Sequence, residues 1–84
     1  MSRIAILYFT DGLEAKASEA TALDMHKVLN QKNVKLYPLS NRTFYFDILK
    51  IPQGSICLLA THGGEGENGT LQSYLTSLGF KHTH

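Results

Sequence analysis

The chain has 84 residues, 43% of them apolar and 18% charged, with one cysteine and a formal net charge of +1. That length allows one domain with one modest core. A charge near zero, with eight Lys and Arg spread along the sequence, argues against a nucleic-acid or membrane-surface protein.

Other classes fall away as quickly. Cys57 stands alone and cannot build a disulfide framework, which points to a reducing compartment. No apolar run approaches the ~20 residues of a membrane helix, and Met1-Ser2-Arg3 leads into an apolar run with no signal-peptide pattern. The expected location is therefore the cytoplasm, with no membrane and no nucleic acid as partner.

Ile4-Ala5-Ile6-Leu7-Tyr8-Phe9 is continuously apolar, as a strand covered on both faces requires. Glu14 to Gln31 contains neither Pro nor Gly and predicts a helix, with Ala22, Met25, Val28 and Leu29 on one stripe. Asn33-Val34-Lys35-Leu36-Tyr37 alternates and stops at Pro38, which has no N–H for a ladder, so it reads as an edge strand. Thr43 is placed to cap a short helix in which Phe44 and Ile48 share a face. Ser55 to Ala60 is a second continuous apolar strand. Leu71, Tyr74, Leu75 and Leu78 then recur at helical spacing, with Gly79 where a helix-ending glycine belongs. Phe80 to Thr83 allows a short fourth strand.

Strands alternating with helices predict an α/β fold: three layers around a parallel, Rossmann-like sheet of order 2-1-3 with right-handed crossovers. The chain leaves the first and third strands in opposite directions, so a crevice opens at their carboxyl ends. Two loops line that crevice, Thr10 to Ala17 and Thr61 to Thr70.

The second loop holds four of the seven glycines. Gly64-x-Gly66-x-x-Gly69 matches a dinucleotide fingerprint in a strand–loop–helix context. The chemistry opposes that match, because a pyrophosphate wants a positive local field and Glu65 and Glu67 supply the reverse. A Walker loop is excluded, since Thr70-Leu71 follows Gly69. Taken singly, His62 reads as a structural histidine, and Glu65 and Glu67 read as solvated residues near a helix start.

As a whole, His62-Gly63-Gly64-Glu65-Gly66-Glu67-Asn68-Gly69-Thr70-Leu71-Gln72, followed by Leu78-Gly79-Phe80-Lys81-His82-Thr83, resembles the end of the N-terminal domain of D-alanine–D-alanine ligases. That family carries His-Gly-x-x-Gly-Glu-Asp-Gly-Thr-(apolar)-Gln there. Its first loop reads Gly-Gly-x-Ser-x-Glu-x-x-Val-Ser, and Phe9-Thr10-Asp11-Gly12-Leu13-Glu14-Ala15-Lys16-Ala17-Ser18 stands in register with it. Phe9-Thr10 replaces the glycine pair, Gly12 the first Ser, and Asn68 the Asp.

The resemblance implies a pre-ATP-grasp type domain spanning residues 1–84, with the central and C-terminal ATP-grasp domains absent. It assigns catalytic roles to Glu14 and Ser18 and substrate contacts to His62, Gly63 and Glu67. Glu14 would hold the ammonium of the first D-alanine, Ser18 would hydrogen-bond it, and His62 would meet its carboxylate. ATP and Mg2+ belong to the full-length enzyme, and neither is expected to bind this chain alone. The remaining ligase domains and a second copy, in a homodimer, are the implied partners. The piece by itself is expected to be an inactive fragment of an enzyme of peptidoglycan-precursor synthesis. The alternative is a standalone, non-catalytic α/β binding or interaction module.

Overall fold

A computed structural model describes residues 3–12, 15–29, 32–60 and 68–83. Strand β1 (Ile4–Phe9) leads to helix α1 (Ala15–Leu29) and strand β2 (Val34–Leu39). Helix α2 (Phe44–Asp47) is continued by a 3-10 turn, Ile48–Lys50, before β3 (Ile56–Leu59), α3 (Asn68–Ser77) and β4 (Lys81–His82). Every pairing is parallel, and the order is β2-β1-β3-β4. The predicted arrangement holds, and the short fourth strand is present.

Continuous apolar strands are needed because both faces of the sheet are covered. On one face Ala5, Leu7 and Phe9 of β1 pack with Phe44, Ile48, Leu71, Leu75 and Phe80. On the other, Ile6 packs with Val34 and Ala60 beneath Ala22 of α1. The period of two along β1 thus feeds both layers. Cys57 is fully buried, and desolvation pushes its thiol up to about 11, so it fills the core and is not a reactive group.

Helix α3 ends as its sequence demands. Phe80 N–H donates to the Leu75 carbonyl at 3.0 Å and Gly79 N–H to that of Thr76 at 3.0 Å, a Schellman closure with Gly79 at φ +86°. Phe80 then packs in the same cluster as Leu75.

Three expectations need correction. Strand β2 does not stop before Pro38; it runs through it, with Tyr8 opposite Pro38 and Phe9 opposite Leu39. Asn33 and Leu39 carbonyls both accept from the β1 side, so the alternating backbone points Pro38 to the open edge, where no N–H is needed. Val28 is 83% exposed, because it stands about a quarter turn away from the Ser18–Ala22–Leu29 stripe. Thr43 occupies the cap position of α2, but its hydroxyl donates to the Asp47 carboxylate at 3.0 Å and accepts no backbone N–H of the first turn.

Candidate functional site

Strands β1 and β3 stay paired as far as the bond from Ala60 N–H to the Leu7 carbonyl, at 2.8 Å. The next rung of a parallel ladder would run from Phe9 N–H to the Ala60 carbonyl. Ser18 takes its place. Phe9 N–H donates to Ser18 Oγ at 3.0 Å, and Ser18 Oγ–H donates to the Ala60 carbonyl at 2.7 Å. The hydroxyl is a wedge one atom thick that satisfies both backbone groups while holding the strands apart. Meanwhile β1 remains zipped to β2, since Thr10 N–H donates to the Leu39 carbonyl at 2.8 Å. The sheet therefore splits on one side only, at the switch point.

A second device fixes the loop that leaves β1. The Asp11 carboxylate accepts from Ser40 Oγ at 2.6 Å, from Asn41 N–H at 2.8 Å and from Asn41 Nδ2 at 2.9 Å. Asn41 Nδ2 also reaches the Asp11 carbonyl at 3.1 Å. Gly12 follows at φ +97°, a left-handed conformation that glycine adopts without strain. The chain is thereby turned into α1 from a clamped start.

The Asn41 backbone N–H, then Ser40, hold the Asp11 carboxyl below its ordinary value of 3.8, with the Asn41 side chain and Arg42 adding to the effect. Because the folded value lies below the unfolded one, the stabilisation is complete above about pH 5 and is lost as pH falls through the folded value. Asp11→Asn should therefore flatten the fall in stability as pH is lowered from about 5. Urea melts of both proteins across that range check this; parallel pH profiles would show that the bracket contributes nothing.

Of the candidate residues, Ser18 lies among those described, fully buried at 0% exposure. Its one proton goes to Ala60. It shapes the crevice from within, with both partners on the backbone. Glu14, His62, Gly63 and Glu67 lie outside the described residues. Sequence reasoning passed over Asp11, Ser40 and Asn41, and also Lys16 and Glu19, which with Thr10 and Ala15 line a depression of about 120 Å³ at the mouth of β1. The latter pair is a cation and a carboxylate one turn apart, which the helical spacing alone could have flagged.

Helices α1 and α3 both begin at the carboxyl end of the sheet. Their positive dipole ends lie at that end, a field that favours an anion. Among the described residues no three His, Cys, Asp or Glu stand where they could hold a metal ion. No helix among them is long and apolar enough to cross a membrane.

No protein-family model matches the chain, and no curated protein matches it by sequence. Solved structures do. The D-alanine–D-alanine ligase of Bacillus anthracis complexed with ATP superposes with a TM-score of 0.76 at 27% identity, over 99% of this chain and 29% of that one. A second structure of the Bacillus anthracis ligase gives 0.77 at 29% identity, over 99% of this chain and 27% of that one. The chain spans less than a third of the ligases it matches. Its parallel sheet, strand order and helical layers make it similar to the N-terminal domain of the D-alanine–D-alanine ligases.

Proposed function

We propose that this chain is the N-terminal, substrate-contacting domain of an ATP-dependent D-alanine–D-alanine ligase acting in the cytoplasm on peptidoglycan precursors. One observation carries the reading most of the way. A ligase-like fold opens its sheet at the carboxyl ends of β1 and β3, and the two segments in register with the family's site loops follow those strands.

In this reading Glu14 pairs with the ammonium of the first D-alanine, and His62, with Gly63 and Glu67 beside it, orients its carboxylate. The Asp11 bracket and the start of α1 flank Glu14 in the sequence, while Ser18 keeps the strands apart for the ligand. ATP, when bound, activates the substrate carboxylate for peptide-bond formation. In the same reading ATP and Mg2+ are held by the remaining domains of the longer protein. The direct test is the reaction itself: the longer protein, given ATP, Mg2+ and D-alanine, should release ADP and form D-alanyl-D-alanine. Absence of both ADP release and dipeptide would favour the non-catalytic binding-module reading.

The same reading includes a homodimer. Phe46 is 72% and Leu49 61% exposed, with Tyr45 beside them, on the outer side of α2 and its 3-10 turn. Tyr74 beside them is half-buried: its hydroxyl donates to the Tyr45 carbonyl at 3.1 Å and its ring meets Tyr45 edge-on. Adjacent exposed apolar side chains favour association. Sedimentation equilibrium should show concentration-dependent dimers, shifted toward monomer by Phe46→Ser with Leu49→Ser. A chain that stays monomeric at millimolar concentration would remove this surface from consideration.

A further inference from the structure

Cations that are spread along the sequence are distributed unevenly in space. The carboxyl end of the sheet is mixed: Asp11 and Asp47, the latter accepting from Ser40 N–H just past β2, share it with Lys16 and Arg42. The amino end is basic. Arg3 precedes β1, Lys32 precedes β2, Lys35 is the second residue of β2, and Lys27 lies in the last turn of α1. A net charge of +1 conceals a molecule with two unlike ends.

Three of these cations border one cavity. Arg3, Lys32 and Lys35, together with Tyr37, Pro52 and Ser55, line a space of about 310 Å³ at the amino ends of β1 and β2. The register brings them there: Ile4 lies opposite both Val34 and Ile56, and Lys35 lies opposite Ala5. Among the described residues that line it, none is acidic. All three cations are exposed, and no hydrogen bond or ion pair among the described residues engages their side chains. The nearby backbone amides are already used, Ile4 N–H by the Asn33 carbonyl and Ile56 N–H by that of Arg3. Recognition here would fall to side chains.

Three like charges around one concavity repel each other until an anion enters. Lysine offers point charges and arginine a planar fork, the combination suited to phosphate oxygens. A monocarboxylate would answer only one of the three charges. The volume is at the lower end for small-molecule sites, and Tyr37 with Pro52 gives it an apolar wall. We propose that this cavity binds a small phosphorylated ligand carrying two or more negative charges, at the end of the sheet opposite the D-alanine crevice. The site is independent of the ligase reading and stands or falls separately from it.

The test is a titration of the 15N-labelled chain with inorganic pyrophosphate at low ionic strength, with sodium chloride at matched ionic strength as control. Saturable amide shifts should be confined to residues 3–5, 32–37 and 55–56. Lys32→Gln with Lys35→Gln should weaken binding about tenfold, roughly threefold for each exposed charge removed. Lys16→Gln, at the other end of the sheet, should change nothing. Both lysines of the double variant are exposed, so its β3 and α3 amides should stay in place and report an intact fold. Shifts that sodium chloride reproduces, that cluster at the start of α3, or that survive undiminished in the double variant would overturn the proposal.

Discussion

In the longer protein, Glu14→Gln should lower kcat/KM for D-alanine by about ten- to a hundredfold, with little change in the KM for ATP. The substitution keeps the side-chain volume and removes one charge. A charge-assisted hydrogen bond contributes about 1.5–3 kcal/mol, and ~1.4 kcal/mol is tenfold in rate. His62→Ala should act in the same direction. The double variant should lose less than the product of the two single effects, because both segments are assigned to one ligand. Steady-state kinetics of the three variants, with D-alanine and ATP varied separately, decide this. Wild-type D-alanine kinetics in Glu14→Gln would detach the site from the family register.

The second large effect is on stability and comes from Ser18→Ala. Removing the hydroxyl leaves the Phe9 N–H and the Ala60 carbonyl facing each other across a buried gap. An unsatisfied buried polar group costs about 1–3 kcal/mol, so a loss of about 2–6 kcal/mol is expected for the pair. A domain of this size has roughly 4–13 kcal/mol in total, at ~0.05–0.15 kcal/mol per residue. The variant should therefore melt far below the parent. Ser73→Ala, on the exposed side of α3, should stay within about 0.5 kcal/mol. If Ser18→Ala costs no more than Ser73→Ala, the two strands have closed the missing rung themselves. The wedge would then have no energetic role.

The sheet was legible because its signals are local. Continuous apolar runs marked β1 and β3, and Gly79 marked the end of α3 with the geometry it was expected to have. Pro38 was misjudged because a missing N–H matters only when it faces a neighbour, and which way it faces depends on register. Val28 was misjudged because an apolar side chain near a helical stripe looks the same whether it lies at the edge or beyond it.

The crevice was legible as a place but not as a mechanism. The two segments expected to line it were found from strand order and from the family register. The devices that hold it open rest on pairs no local pattern reveals. Ser18 reaches Ala60 across 42 residues, and Asp11 reaches Asn41 across 30. Each looks like an ordinary helix-start or loop residue until the backbone groups it serves are placed beside it. The basic cavity escaped for the same reason, since Arg3 meets Lys32 and Lys35 only through the pairing of β1 with β2.

The central claim is that the carboxyl ends of β1 and β3, kept apart by Ser18, form part of the site for the first D-alanine. Hydrogen–deuterium exchange of the longer protein, with and without D-alanine in the presence of a non-hydrolysable ATP analogue, tests it most directly. Protection by D-alanine should appear in peptides covering residues 9–19 and 59–72, and not in those covering 30–37, with L-alanine giving markedly less. Protection absent from both crevice segments, at D-alanine concentrations that saturate turnover, would contradict the account.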